Sequence, residues 1–163
     1  MDEYTLSDIE CKTLIDKSIE LDNWDIRKTN RSDYSLSLFD ADGNIREKIM
    51  KYTDTILGIK VNTIKVGVLR YDVGGYFDKH IDIDPHSDFN NDFIYNINVI
   101  LNEGFEGGEF YVEDQPLSKN KGEIYHYRSD KFHEVKPVTK GVRYVALFYI
   151  RKREVSSRKS SLI

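Results

Sequence analysis

Apolar residues recur at helical spacing in two segments near the amino terminus. The first segment begins at Ser7-Asp8-Ile9-Glu10, which has the form of a capping box, and its apolar positions continue to Leu21. The second has apolar residues at positions 45, 49, 52 and 56 and closes at Gly58, a residue type that commonly ends helices. The pattern therefore predicts two amino-terminal helices.

The period changes to two after residue 58. Short segments rich in β-branched and aromatic residues are separated there by Gly, Asn, Asp and Pro, and they read TIKVGVLRY, FIYNINVIL, GEFYVE, GEIYHY and VRYVALFYI. One earlier segment, from Tyr34 to Phe39, alternates in the same way. Helices followed by many short strands predict a mainly β fold, an antiparallel jelly roll with buttressing N-terminal helices on one face.

No repeat or proline-rich linker divides the chain. We therefore predict one domain over residues 1–150, with helical support in residues 1–58 and a β core in residues 59–150. The remaining segment, residues 151–163, is basic and rich in serine. It is predicted to be a solvated tail, and a docking or targeting patch is the alternative.

Composition narrows the function classes. A hydrophobic content of 39% is typical of a folded domain, and a net charge of -4 gives no general attraction to nucleic acid or an anionic membrane. We therefore expect neither as a partner; the oligomeric state stays open. No apolar run reaches the roughly 20 residues of a membrane-spanning helix, and the acidic amino terminus is unlike a signal peptide. With Cys11 as the single cysteine, a reducing, cytoplasmic location is expected.

The densest polar segment is YFDKHIDIDPHSD, residues 76–88, which holds two of the four histidines. A solvated loop is the ordinary reading of such a segment. The spacing of His80 and Asp82, however, places an imidazole and a carboxylate on one side of a β-strand. Two histidines and one carboxylate can hold Fe(II) and leave coordination positions open for a co-substrate and dioxygen.

The second histidine has three candidates, which are His86, His126 and His133. His86 follows a proline in a predicted loop, and His126 lies within a predicted strand. His133 is favoured because Arg143 follows ten residues later, at the start of the last strand. A guanidinium binds carboxylates bidentately, so a metal with this arginine would suit a small dicarboxylate.

The order of the motifs carries a family resemblance. The segments YDVGGYFDKHID, NINVILNEGFEGGEF, KGEIYHY and FHEVKPVTKGVRYVALFYI extend over about Val66 to Ile150. Together they resemble the Fe(II)/2-oxoglutarate dioxygenase domain of prolyl 4-hydroxylases and of the related collagen lysyl hydroxylases. The fold that this resemblance implies is the double-stranded β-helix, a form of jelly roll.

The resemblance also implies residue roles. His80, Asp82 and His133 match the iron ligands of the family, and Arg143 matches the partner of the C5 carboxylate of 2-oxoglutarate. Tyr71 matches a family tyrosine whose hydroxyl contacts the co-substrate.

Two departures from the family pattern leave prolyl and lysyl substrates both open. Arg143 stands where many prolyl 4-hydroxylases have lysine, and Ile100 replaces a co-substrate-binding tyrosine of oxygen-sensing prolyl hydroxylases. Asn98 shares a strand face with Asn96 and is the candidate that replaces part of this contact.

The activity implied by the resemblance is a hydroxylation that consumes O2 and converts 2-oxoglutarate to succinate and carbon dioxide, with ascorbate as a further cofactor. The expected substrate is a protein or peptide side chain, first of all a proline. A lysyl side chain or a small molecule is the alternative, as is a catalytically silent binding module. A nucleic-acid demethylase is disfavoured by the acidic charge balance.

Two further features are assigned to substrate binding. Residues 83–92 are predicted to form a loop over the site, in which Asp84, Asp88, Asp92 and Phe89 would favour neutral or basic peptides. Tyr149 shares a strand face with Arg143 and either lines the substrate mouth or packs in the core.

Overall fold

A computed structural model describes residues 4–28, 31–36, 38–82 and 92–156 of the protein. The two α-helices are α1, Asp8–Leu21, and α2, Gly43–Leu57. The strands are β1, Trp24–Arg27; β2, Arg31–Leu36; β3, Phe39–Asp40; β4, Lys65–Tyr71; β5, Tyr76–His80; β6, Phe93–Ile100; β7, Glu106–Gly107; β8, Phe110–Val112; β9, Gln115–Pro116; β10, Tyr125–Arg128; β11, His133–Val135; β12, Val138–Lys140; and β13, Arg143–Arg151. A 3-10 helix, Lys152–Glu154, follows. Within these ranges no helix is long and apolar enough to cross a membrane.

Both helix predictions are confirmed, because the signals that define helix ends are local. The Ser7 hydroxyl accepts a hydrogen bond from the Glu10 backbone N–H at 3.1 Å, and the Glu10 carboxylate accepts one from the Ser7 N–H at 2.8 Å. At the end of α2, Gly58 has a φ of 69°, the left-handed conformation that glycine adopts without steric cost.

Most of the strands join one antiparallel sheet, which runs in the order β10-β6-β13-β4-β2-β5-β11-β8-β9. Strand β1 pairs with β2, β3 pairs with β4, and β7 and β12 form a separate pair. Strand β2 joins the two halves, since residues 34–35 pair with β4 and residues 31–32 pair with β5. The prediction of a mainly β fold with two amino-terminal helices is confirmed.

Alternation along the central strands gives the sheet two different faces. On β13, Ala146 and Phe148 belong to the apolar core that also contains the helix residues, whereas Val145 and Leu147 belong to a second core inside the curl. We call the second side the inner face. Arg143 has the same parity as Val145 and therefore lies on the inner face. The polar residues of interest below lie on this inner face.

The structure departs from the predicted segments at two places. The strand predicted from Tyr34 to Phe39 is two strands, β2 and β3, which pair with different parts of β4. Residues 1–58, predicted as helical support, thus also contribute strands to the sheet. At the other end, the last strand continues to Arg151, which was predicted to begin the solvated tail. Arg151 is only 5% exposed and packs over the Phe93 ring at 4.6 Å. Residues 157–163 lie outside the described part of the chain.

Candidate active site

Three side chains with metal-binding atoms converge on the inner face. His80 ends β5 and His133 begins β11, and the two residues are direct partners across the strand pair. The Asp82 Oδ1 atom lies 3.5 Å from Nε2 of each histidine. One candidate ligand atom from each residue lies within 4.8 Å of the other two, a separation that suits coordination of one ion.

The local structure around Asp82 differs from the expectation. His80 and Asp82 were predicted on one strand, but β5 ends at His80 and Asp82 lies in a bend. The Asp82 backbone N–H donates to the Ser129 carbonyl at 3.2 Å, at the turn that leads into β11. This bend carries the carboxylate toward β11 and between the two imidazoles.

Backbone carbonyl groups fix the orientation of each imidazole. Nδ1 of His80 lies 2.6 Å from the Asp78 carbonyl oxygen, and Nδ1 of His133 lies 2.9 Å from the Lys131 carbonyl oxygen. Since a carbonyl only accepts hydrogen bonds, Nδ1 carries the proton in the neutral rings and the Nε2 lone pairs face Asp82. Backbone groups thereby select the tautomer that can bind a metal.

The two oxygens of Asp82 have different contacts, because Oδ1 faces the two histidines and Oδ2 accepts a hydrogen bond that holds the carboxylate in place. The Asn96 amide nitrogen donates to Asp82 Oδ2, and the same nitrogen lies 3.2 Å from the Tyr127 hydroxyl. Burial raises the pKa of the Asp82 carboxyl. When His133 and His80 are protonated, however, their Nε2 groups donate hydrogen bonds that outweigh burial and hold this pKa well below its usual range. The carboxylate is therefore ionised at neutral pH.

A stack of planar groups holds His80 from its other side. The Phe77 ring lies parallel to the His80 ring, with 3.6 Å between centroids, and the Arg31 guanidinium carbon lies 3.8 Å from the Phe77 centroid. Arg31 is fixed in turn by two hydrogen bonds, of 2.6 and 2.8 Å, to the carboxylate of buried Asp33. This stack limits rotation of the imidazole.

A cavity of about 90 Å³ connects the three metal-binding side chains with Arg143. Arg143 is 1% exposed, and its Nε and Nη1 atoms have no hydrogen-bond partner among the described residues. A buried cation without a counter-charge is energetically costly, so this end of the cavity suits an anion. Tyr71 and Asn98 line the same cavity, and Tyr71 is the direct strand partner of Arg143.

A glycine makes room for Arg143. Gly108 has a φ of +69°, and a Cβ atom at this position would lie 2.9 Å from Cδ of Arg143. The preceding Gly107 approaches the Pro137 carbonyl so closely that a Cβ would lie 2.4 Å from the oxygen. The pair of glycines therefore serves close packing beside the cavity.

The other predicted residues divide into four groups. Tyr149 lines the cavity and also packs against the inner apolar core, so the structure is consistent with both predicted roles. His126 lies on the helix-covered side, where its Nδ1 is 2.7 Å from the Tyr52 hydroxyl. Asp92 is 3.4 Å from Arg153. The predicted loop contributors Asp84, Asp88 and Phe89, and the candidate ligand His86, lie outside the described residues.

Sequence reasoning missed several supporting residues. Asn96 was noticed only as a neighbour of Asn98, and Tyr125 and Tyr127 were not singled out. Their strand partners explain their place, because Tyr125 pairs with Asn98 and Tyr127 with Asn96. Alternation in GEIYHY puts both tyrosines on one face, and this signal was available from the sequence.

The comparison with protein families agrees with this site. Residues 66–151 match the family described as the 2OG-Fe(II) oxygenase superfamily. The chain belongs to this superfamily. The donor set of two imidazoles and one carboxylate fits Fe(II), and the buried, unpaired guanidinium fits the distal carboxylate of 2-oxoglutarate.

The chain is also similar to curated bacterial proteins. A PKHD-type hydroxylase of Aliarcobacter butzleri is 30% identical over 104 residues, which cover 58% of this chain and 46% of that protein. A PKHD-type hydroxylase of Idiomarina loihiensis is 30% identical over 91 residues, 53% of this chain and 42% of that protein. The chain thus spans about half the length of the curated relatives it matches.

Solved structures share the fold. A viral collagen prolyl hydroxylase from Paramecium bursaria Chlorella virus-1, in a 2-oxoglutarate complex, has a TM-score of 0.70 and 26% identity over 93% of each chain. A prolyl-4-hydroxylase of Pseudomonas putida has a TM-score of 0.71 and 17% identity over 92% of this chain and 90% of that chain. The predicted double-stranded β-helix is confirmed.

Proposed function

We propose that the protein is an Fe(II)- and 2-oxoglutarate-dependent hydroxylase of a protein or peptide side chain, with prolyl 4-hydroxylation as the first candidate. The observation that carries this proposal is one cavity with two ends of different chemistry. Its one end has two imidazoles and a carboxylate, and its other end has the buried guanidinium of Arg143.

Each residue of the site has a proposed role. His80, Asp82 and His133 hold the iron, and Arg143 binds the C5 carboxylate of 2-oxoglutarate. Tyr71 and Asn98 flank this carboxylate. When bound, the iron supplies the redox chemistry in which O2 and 2-oxoglutarate yield succinate, carbon dioxide and one hydroxyl group on the substrate. Ascorbate is proposed as the reductant that maintains Fe(II).

The surrounding side chains keep the reactants aligned and exclude water. Arg31, Phe77 and Tyr149 line the cavity beside the metal-binding side chains. The fixed tautomers of His80 and His133 keep the coordinating nitrogens directed at one point, so little reorganisation is needed at each turnover. A substrate that reaches the iron would contact the rings of Phe77 and Tyr149, which suit an apolar or prolyl ring.

The prolyl assignment is supported by the structural neighbours. They include the viral collagen prolyl hydroxylase and a prolyl hydroxylase of Trichoplax adhaerens in complex with a peptide fragment, which matches at a TM-score of 0.68 and 16% identity. A lysyl side chain or a small molecule is the second candidate on the same site. Cytoplasmic placement, which depends on the single cysteine, stays a prediction.

The test is incubation of the purified protein with Fe(II), ascorbate, 2-oxoglutarate and a set of proline- and lysine-containing peptides. We expect succinate release together with a gain of one oxygen on a prolyl peptide by mass spectrometry. His133→Ala should abolish both signals and metal binding, whereas the matched control His126→Ala should retain the metal. If the wild type binds metal and 2-oxoglutarate but releases no succinate with any substrate, the chain is a silent binding module.

A further inference from the structure

Tyr125 is the strand partner of Asn98, which lines the cavity, and the buried Tyr125 hydroxyl has no hydrogen-bond partner among the described residues. We propose that Tyr125 is a further co-substrate-binding residue, whose hydroxyl donates a hydrogen bond to the distal carboxylate of 2-oxoglutarate beside Arg143. This inference rests on the proposed function, because it names an additional contact in the same site.

The first observation that supports this proposal is the burial of Tyr125. Its side chain is 4% exposed, and its hydroxyl has no hydrogen-bond partner among the described residues. Buried tyrosine hydroxyls are normally paired, because an unpaired polar group loses its water without compensation. Asn98, the strand partner of Tyr125, has an unpaired Oδ1 atom as well. Among the described residues of the inner face, Tyr125, Asn98 and Arg143 therefore each have at least one unpaired polar atom.

Strand register places Tyr125 on the Arg143 side of the metal-binding side chains. Asn96, which contacts Asp82, pairs with Tyr149 of β13, and Asn98 pairs with Leu147. On β13, Leu147 is nearer to Arg143 in the strand than Tyr149 is. Asn98 and its partner Tyr125 are therefore displaced from the metal end toward the guanidinium.

The electrostatics agree with this placement. Burial raises the pKa of Tyr125, and the positive charge of Arg143 and then the Asn98 side chain oppose that rise, so the hydroxyl is within the field of the guanidinium. The hydroxyl remains protonated at neutral pH and can donate. A carboxylate has only acceptor atoms, which match the donors of a protonated tyrosine and an arginine. A half-turn of the Asn98 amide would add its N–H group as a third donor.

The competing explanation is that Tyr125 bonds only to Asn98 and has no ligand. The two explanations differ in which ligands would feel the loss of the hydroxyl. A bond to the distal carboxylate matters for 2-oxoglutarate but not for 2-oxobutanoate, which has the same chelating 2-oxo acid group and lacks the distal carboxylate. A purely structural hydroxyl would affect both ligands alike or neither.

The experiment measures the dissociation constants of both ligands for the Mn(II)-loaded protein by calorimetry, with Tyr125→Phe beside the wild type. Mn(II) binds the same ligands and permits no turnover. We expect Tyr125→Phe to weaken 2-oxoglutarate binding about tenfold or more, the usual effect of losing a hydrogen bond to a charged group, and to leave 2-oxobutanoate binding unchanged. Tyr144→Phe, on the helix-covered side of β13, is the matched control and should change neither constant.

Thermal unfolding of the wild type and of Tyr125→Phe provides a second measurement, which does not require a dissociation constant. Because the Tyr125 hydroxyl is unpaired in the ligand-free protein, Tyr125→Phe should unfold at the same or a higher temperature than the wild type. The stabilisation by added 2-oxoglutarate should be smaller in the variant. If the variant binds 2-oxoglutarate as tightly as the wild type, the inference is wrong and the proposed function stands. If the wild type itself fails to bind 2-oxoglutarate, the proposed function is wrong.

Discussion

Replacing Arg143 with methionine should stabilise the ligand-free protein and lower its affinity for 2-oxoglutarate. Arg143 is 1% exposed, and its Nε and Nη1 atoms have no partner among the described residues. Each buried donor left unpaired costs about 1–3 kcal/mol, whereas methionine fills a similar space without polar atoms. The contact between the guanidinium and the Tyr71 ring, at 5.3 Å, returns about 0.5–2 kcal/mol and is lost in the variant. The expected net gain in unfolding free energy is about 1–3 kcal/mol.

The same substitution removes the charge that would pair with the distal carboxylate. One charge-assisted hydrogen bond is worth about 1.5–3 kcal/mol, so the affinity for 2-oxoglutarate should fall by at least about tenfold to a hundredfold. Urea unfolding of the ligand-free protein and calorimetry with Mn(II) and 2-oxoglutarate measure the two effects separately.

Arg151→Met provides the matched control. Arg151 is equally a buried arginine of β13, but among the described residues its guanidinium has two ring contacts, with Phe93 at 4.6 Å and with Tyr149 at 5.9 Å, whereas Arg143 has the single contact with Tyr71. We expect Arg151→Met to lower stability and to leave 2-oxoglutarate affinity unchanged. The reasoning would be refuted if Arg143→Met unfolded at lower urea than the wild type and bound 2-oxoglutarate normally, since Arg143 would then be a structural residue.

Three further predictions follow from the contacts around the site. Asn96→Leu should lower metal affinity about tenfold to a hundredfold, because Asp82 loses its supporting amide; unchanged metal content after dialysis would contradict this. Gly108→Ala should raise the KM for 2-oxoglutarate with little effect on metal affinity, because the added methyl group would displace Arg143; equal KM values would show that the side chain adapts freely. Burial, and then the charge of Lys119, lowers the pKa of His126, so the unfolded chain binds more protons there below about pH 6.5. The contribution of His126 to the free energy of unfolding is therefore complete above that pH and is lost as the pH falls toward the folded pKa. His126→Phe should make the free energy of unfolding, measured with urea, depend less on pH in this range. An unaltered slope with pH would exclude the effect.

Local signals account for what the sequence predicted well. The capping box at Ser7 and the terminating Gly58 act within a few residues, so α1 and α2 occur where the pattern placed them. Period-two alternation located β4, β6 and β13 within two residues, because alternate residues of each strand are buried in the apolar core that also contains the helix residues.

The remaining features depend on contacts between distant segments. Strand β9 has two residues and β11 has three, which is too short for a periodic pattern to develop. Asp82 leaves the strand geometry because its N–H bonds to the carbonyl of Ser129, 47 positions later. The role of Asn96 follows from its contact with the same carboxylate, a relation that residue spacing alone does not encode.

The unequal strand lengths give the two walls of the cavity different local stabilities. Strands β4, β6 and β13, which present Tyr71, Asn98 and Arg143, have seven, eight and nine residues and share long ladders. Strand β5, which ends at His80, has five residues, and strand β11, which begins at His133, has three. Short ladders open at lower free energy, so amide hydrogens of β5 and β11 should exchange faster than those of β6 and β13 in the metal-free protein. An ion held by both histidines acts as a cross-link between β5 and β11, and it would slow hydrogen exchange mainly in that wall.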